Sequence, residues 1–251
     1  MPIAPSLPPK PVSKVWRPEL TRLPEITPAR RLARELLRGL IRFLLFCFTR
    51  LEISGLENLP EKGPALLVMN HLGDADALIM IAFFPFFPEY LGTIDLYDYP
   101  GLGLLMRAYG VIWVHRGQPD RRALRAALEG LQAGKFIGIA PEGRESLSGA
   151  LEEGTEGVAF LALKAGVPLV PVTLTGTANT RLYANMKRLR RTAVSMRVGK
   201  PFVLPAQTQG RGALHETTRF IMETLARQLP PEYRGVYSYV DQSEGLFTKS
   251  C

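Results

Sequence analysis

The spacing of apolar and polar positions changes along the chain, and each change marks an element. Residues 28–49 repeat at helical spacing. Arg30, Arg34, Arg38 and Arg42 recur every four residues, and Leu36, Leu40, Phe43 and Cys47 fall on the opposite side. Thr27 is placed to cap this helix, with Pro28 at its first position. From Phe43 to Phe48 it is apolar all round. The pattern predicts an amphipathic helix lying in a membrane interface, its arginines at the lipid phosphates. The alternative is a helix packed on its own domain with its arginines in water.

Past this helix, short apolar runs alternate with helical spacing. Strands are expected at 51–53, 65–69, 90–94, 111–114, 136–140, 169–175 and 194–198. Helices are expected at 75–84, 102–109, 119–132, 158–164 and 212–228, with Gly134 and Gly166 ending two of them. This alternation implies an α/β fold: a mostly parallel or mixed sheet flanked by helices, preceded by the N-terminal amphipathic helix. The expected organisation is a loose, proline-rich basic arm at 1–27, an interface helix at 28–50, one domain at 51–240 and a tail at 241–251. An extended strap packed on the domain is the alternative for the arm.

Composition narrows the class. The 251 residues are 46% hydrophobic and 22% charged, as in a globular chain and unlike a disordered one. The net charge of +8 seeks polyanions, whether nucleic acid, anionic lipid or phosphorylated ligands. Many arginines sit on the apolar helix and no nucleic-acid module is visible, so nucleic acid is not an expected partner. Cys47 and Cys251 suggest no disulfide framework, which fits a reducing compartment. The N-terminus lacks a signal-peptide pattern, and no apolar run reaches the ~20 residues of a spanning helix. A peripheral or monotopic protein on the cytoplasmic face of an anionic membrane is therefore expected.

In open α/β sheets ligands gather at the loops leaving the carboxyl ends of the strands. Three such loops here carry unusual chemistry. The first, Asn70-His71-Leu72-Gly73-Asp74-Ala75-Asp76, follows the 65–69 strand. Gly73 allows a tight turn that brings Asp76 onto one imidazole nitrogen of His71, leaving the other as an acceptor; this is what a general base needs. Asp74 is the expected helix cap, which leaves Asp76 free for the histidine. The alternative is a plain capped turn with an ordinary loop histidine. The second loop is His115-Arg116-Gly117, where Arg116 is placed to bind a phosphate in a forked geometry. The third is Pro141-Glu142-Gly143-Arg144-Glu145-Ser146. Glu142 is placed to orient a ligand hydroxyl or to hold Arg144, and Gly143 lets backbone N–H groups approach a ligand. The basic run at 181–191 reads as a grip on anionic lipid or donor phosphates, or as a solvated loop. Phe83, Phe84, Phe86 and Phe87 read as acyl-tunnel lining or as core. No Gly-x-Ser-x-Gly elbow is present, and His71, His115 and His215 lack metal-ligand spacing.

Together the three loops resemble the 1-acylglycerol-3-phosphate acyltransferase family of glycerolipid synthesis. Its Asn-His-x4-Asp motif matches Asn70, His71 and Asp76, and its strand-then-arginine block matches residues 110–114 with Arg116. Its Phe-Pro-Glu-Gly-Thr-Arg-Ser block is Ala140-Pro141-Glu142-Gly143-Arg144-Glu145-Ser146 here. Its buried Val-Pro-hydrophobic-Val-Pro stretch is Val167-Pro168-Leu169-Val170-Pro171. The lead-in Ser54-Gly55-Leu56-Glu57-Asn58-Leu59-Pro60 also matches, so the resemblance covers residues 51–177. It implies acyl transfer from acyl-CoA or acyl-ACP to a lysophospholipid hydroxyl, giving phosphatidic acid, with no further cofactor. His71 and Asp76 would be catalytic, and Arg116, Glu142, Gly143 and Arg144 would bind substrate. The family's Thr-Arg pair is Arg144-Glu145 here, which points equally to another lysophospholipid, a glycolipid or an amino-acid lipid as acceptor. A non-catalytic lipid-binding protein on the same scaffold is the remaining alternative.

Overall fold

The computed structural model describes residues 8–117, 119–204 and 212–240; the expected tail and the start of the arm lie outside them. Within them seven strands form one sheet: β1 (Thr49–Ser54), β2 (Ala65–Met69), β3 (Glu89–Thr93), β4 (Ile112–Val114), β5 (Phe136–Ile139), β6 (Leu169–Thr175) and β7 (Thr192–Val198). Their spatial order is β1-β7-β6-β2-β5-β3-β4. Every neighbouring pair is parallel except β6 and β7, which run antiparallel. β2, Ala-Leu-Leu-Val-Met, is buried on both faces, as a central parallel strand must be. Pro171 sits inside β6, where a missing N–H would normally break a ladder. Its carbonyl accepts from Gly199, just beyond the last β7 residue, so the ring lies where the β6–β7 ladder ends.

Helices cover both faces. α1 (Pro28–Phe48), α2 (Ala75–Phe83), α3 (Leu102–Tyr109) and α6 (Asn179–Lys187) bury residues in the core on one side. α4 (Arg121–Gln132), α5 (Glu156–Ala165) and α7 (Ala213–Gln228) close the other. The α/β class and the N-terminal helix agree with the sequence. α6 does not: its segment read as a basic loop, and only Leu182 of it is buried. Among the phenylalanines Phe84 is fully buried, Phe86 stacks on Phe136 at 3.6 Å, and Arg38 lies 3.6 Å above the Phe87 ring. These contacts are packing.

α1 starts as expected, with Thr27 Oγ1 accepting from the Arg30 N–H and Pro28 at its first position. Its arginines are not where either expectation put them. The arginine stripe faces the protein. Arg34 is buried, paired with Glu89 at 2.6 Å, and donates to the Tyr109 carbonyl. Arg38 donates to the carbonyls of Ile81 and Phe86, and Arg42 to that of Ala82. Ile81 and Ala82 belong to the last turn of α2, whose carbonyls have no partner within that helix. Guanidinium groups supply those partners, so the arginines are neither at lipid phosphates nor in water. The apolar stripe faces outward, as an interfacial helix requires: Leu32, Leu36, Leu40, Phe43 and Phe46 are 50–73% exposed.

Residues 8–17 run as an extended strap over the strand ends rather than as a free arm. Ser13 N–H donates to the Arg116 carbonyl and its hydroxyl to Asp95, while Lys14 N–H donates to the other Asp95 oxygen. Arg17 pairs with Asp98 at 2.7 Å.

Candidate active site

The site begins where β2 ends. Asn70 exchanges two hydrogen bonds with the Leu174 backbone, which ties the strand exit to β6. The chain then turns through His71, Leu72, Gly73 and Asp74 into α2. Gly73 is required at this turn, because a Cβ there would meet Asn179 Oδ1 at 2.5 Å and the Thr177 carbonyl at 2.6 Å. The turn closes on one atom. Asp76 Oδ2 accepts from the N–H groups of Leu72 (2.6 Å) and Gly73 (2.9 Å) and lies 2.9 Å from His71 Nδ1. Asp76 is fully buried, whereas the His71 side chain keeps 22% of its surface open. A carboxylate oxygen can only accept, so in the neutral ring the proton sits on Nδ1. Nε2 is then an acceptor with no protein partner among the described residues. The expected division of labour between the two aspartates is corrected here. Asp74 makes no side-chain cap; its Oδ2 accepts from the Tyr183 hydroxyl. Asp76 both closes the turn and holds the histidine.

The loop after β5 supports this turn from below. Glu142 is fully buried, with Oε1 accepting from the His71 N–H at 2.9 Å and Oε2 from the Glu152 N–H at 2.8 Å. The Ser146 N–H donates to the His71 carbonyl at 2.7 Å. Glu142 thus spends both oxygens on backbone amides, not on a ligand or on Arg144. Arg144 is equally occupied: it pairs with Glu152 at 2.8 Å and donates to the carbonyls of Pro8 and Pro9 in the strap. Gly143 has φ +71° and is exposed, and its N–H donates to the Ala140 carbonyl. The amides of Arg144 and Glu145 have no protein acceptor among the described residues.

Two acidic or basic groups remain at the mouth. Glu145 Oε2 accepts from Asn179 Nδ2 at 2.9 Å and feels the charges of both His71 and Arg116. The Arg116 side chain is partly buried and has no ion pair among the described residues. Asn179 and Tyr183 belong to α6, which the sequence reading missed, and so did their place beside His71.

A second histidine repeats the same spacing with a different outcome. His115 Nδ1 lies 2.9 Å from Asp120 Oδ2, five residues on, as His71 does from Asp76. Its Nε2, however, accepts the Arg17 N–H of the strap at 3.0 Å, and Trp16 packs on the ring. The spacing alone therefore builds the same pair twice, and only His71 leaves its acceptor nitrogen open.

The acyltransferase family model matches residues 50–175, half of the chain, with all three loops inside it. The chain belongs to the acyltransferase family. It is 32% identical over 136 residues to a chloroplastic 1-acyl-sn-glycerol-3-phosphate acyltransferase of Arabidopsis thaliana, covering 53% of this chain and 38% of that one. A 1-acyl-sn-glycerol-3-phosphate acyltransferase of Borreliella burgdorferi is 31% identical over 153 residues, covering 59% of this chain and 61% of the other. The chain thus spans less than two thirds of the length of either relative. The fold matches the crystal structure of the 1-acyl-sn-glycerophosphate acyltransferase from Thermotoga maritima with a TM-score of 0.61, at 22% identity, over 79% of each chain.

In this family member the charges around His71 set its proton affinity. Burial pulls the imidazole pKa down, but the hydrogen bond and charge of Asp76, with Glu145 and Glu142 behind it, raise it above the usual 6.5. Burial also raises Glu142, to about 7, against the pull of its two N–H donors and His71. Removing the Glu145 charge removes one of the negative charges that favour imidazolium, so the sign of its effect is fixed. An NMR titration of the His71 ring should give a midpoint above 6.5 in the wild type and a lower one in Glu145→Gln. An unchanged midpoint in the variant would show that Glu145 does not act on this ring.

Proposed function

We propose that the chain transfers a fatty acyl group from a thioester of coenzyme A or acyl carrier protein to the sn-2 hydroxyl of a 1-acylglycerol-3-phosphate. The observation that carries this reading is His71, oriented by Asp76 through Nδ1 and open at Nε2. The acceptor hydroxyl gives its proton to Nε2 as its oxygen attacks the thioester carbonyl. The tetrahedral intermediate collapses by breaking the carbon–sulfur bond, and the leaving thiolate takes the proton back from the imidazolium. Asp76 stabilises that imidazolium while it exists. The free amides of Arg144 and Glu145 serve the oxyanion, and Arg116 serves the acceptor phosphate. Glu142 and Arg144 act as positioning residues, since their polar side-chain atoms are already engaged.

A second acceptor is favoured by one feature. Glu145 places a carboxylate beside His71 and Arg116, where a lysophosphatidate would bring its phosphate. A lysolipid whose head carries a hydroxyl or an amine would suit that carboxylate better.

The exposed stripe of α1 supports attachment to a membrane surface. No helix among the described residues is long and apolar enough to cross a membrane. The stripe would instead bury its leucines and phenylalanines among the acyl chains of one leaflet. Next to it Arg191 lies 5.5 Å from the Phe46 ring, and the neighbouring Leu189 is 85% exposed. Basic side chains beside an apolar face favour an anionic surface, such as the cytoplasmic leaflet.

Acyl transfer in detergent micelles, read by mass spectrometry with a panel of lysolipids, tests the reaction. His71→Ala should lower the rate by about 10²–10⁴-fold, and a variant with full activity would sink the assignment. Sedimentation with anionic vesicles tests the surface. The wild type should pellet, and a Leu36→Ser/Leu40→Ser/Phe43→Ser variant should stay in the supernatant; equal pelleting would rule out α1 as the contact.

A further inference from the structure

A cleft of about 930 Å³ opens between the strap and the start of α4. Five cationic side chains line it: Lys14, Arg116, Arg121, Arg122 and Arg125. None of the five has an ion-pair partner or a side-chain hydrogen bond to protein among the described residues. The carboxylate at the cleft, Asp120, is saturated: Oδ2 accepts from His115 and Oδ1 from the amides of Arg122 and Ala123. Five cations gathered around one carboxylate leave an excess of positive charge, and a bound polyanion relieves that repulsion. The cleft also has a flat wall. Trp16 is 63% exposed, and Arg122 lies 5.5 Å from its ring. The size is that of a site for a cofactor-sized molecule, far larger than one phosphate needs.

Its position relative to His71 selects the ligand. β2 and β4 point the same way in the sheet, so His71 and Arg116 leave it at the same end, three strand intervals apart. At ~4.8 Å per interval the two exits lie about 14 Å apart. A 1-acylglycerol-3-phosphate carries its hydroxyl and phosphate on neighbouring carbons. It cannot place its hydroxyl at Nε2 and its phosphate on α4. A coenzyme A thioester has the required shape. Its pantetheine arm, comparable to four extended residues of ~3.5 Å each, separates the reacting carbonyl from the phosphates by that span. Its far end carries a diphosphate, a 3′-phosphate and an adenine ring.

We infer that this cleft binds the phosphorylated adenosine end of a coenzyme A thioester, with Lys14 and the three arginines of α4 on its phosphates and Trp16 against the adenine. The inference rests on the proposed reaction at His71, and it selects coenzyme A over acyl carrier protein as the donor. Arg116 stands where the two parts of the site meet, since it lines the cleft and is felt by Glu145. Arg121, Arg122 and Arg125 are exposed, so replacing them leaves the core untouched, and glutamine keeps the helix propensity of α4.

Calorimetric binding of coenzyme A and of adenosine 3′,5′-bisphosphate to the full chain in detergent tests this without any turnover. Both should bind the wild type, and both should weaken about tenfold or more in Arg121→Gln/Arg122→Gln/Arg125→Gln, as expected for lost charge-assisted contacts. Trp16→Ala should weaken the bisphosphate as well. Absence of binding to the folded wild type would overturn the inference, as would equal affinity in the triple variant. Binding of acyl carrier protein that the triple variant alone loses would overturn it too, by giving the cleft to a protein surface. Retained coenzyme A binding in a wild type that acylates no acceptor would leave the cleft standing and defeat the reaction at His71.

Discussion

Asp76 Oδ2 accepts three N–H groups at once, from His71 Nδ1, Leu72 and Gly73, and the working end of the sheet is organised around it. The same contact that closes the β2–α2 turn sets the histidine tautomer, so folding and readiness for proton transfer are one event. Glu142 extends the constraint to the next loop, because its two oxygens tie the His71 amide to the Glu152 amide. Glu152 in turn holds Arg144, and Arg144 holds the strap through the Pro8 and Pro9 carbonyls. A chain of buried, hydrogen-bonded groups thus runs from the imidazole to the N-terminal strap. Such bonding offsets the cost of burying these carboxylates, and Asp76 Oδ1 is the one oxygen among them that is buried with no partner among the described residues.

α1 shows how an arginine stripe can dock a helix from the inside. Its guanidinium groups end on Glu89 and on carbonyls at the end of α2, which docks the helix by polar contacts. The apolar side is thereby left free to face outward. An ordinary globular helix makes the opposite choice and buries its apolar face. The inversion places an exposed greasy surface against the same layer of the fold that carries α2 and the His71 turn.

Much of this was legible in the residues. Strand and helix positions followed from periodicity, and α3 and β2 fall where the spacing put them, because short buried runs between glycines and prolines leave little choice. His71 with Asp76 was legible because a five-residue separation around Gly73 permits that contact. What escaped depends on distant partners. The use of Glu142 as a backbone clamp needs Glu152, and the inward arginines of α1 need the end of α2. Glu152 lies ten residues on and the end of α2 some forty, both outside helical or strand spacing. α6 escaped because it has no side-chain cap and buries only Leu182, so neither periodicity nor punctuation announced it. The closed twin at His115 escaped for the same reason in reverse. Its spacing to Asp120 is visible, but the Arg17 N–H that blocks its Nε2 arrives from ~100 residues away.

The claim on which the account turns is that neutral His71 takes the acceptor proton at Nε2. The pH dependence of kcat/KM for acyl transfer tests it most directly, since that profile reports ionisations of the free enzyme. The account predicts activity that rises with pH through the ionisation found for the His71 ring itself, above pH 6.5. A flat profile, or a limb at a different midpoint from that ring, would contradict it.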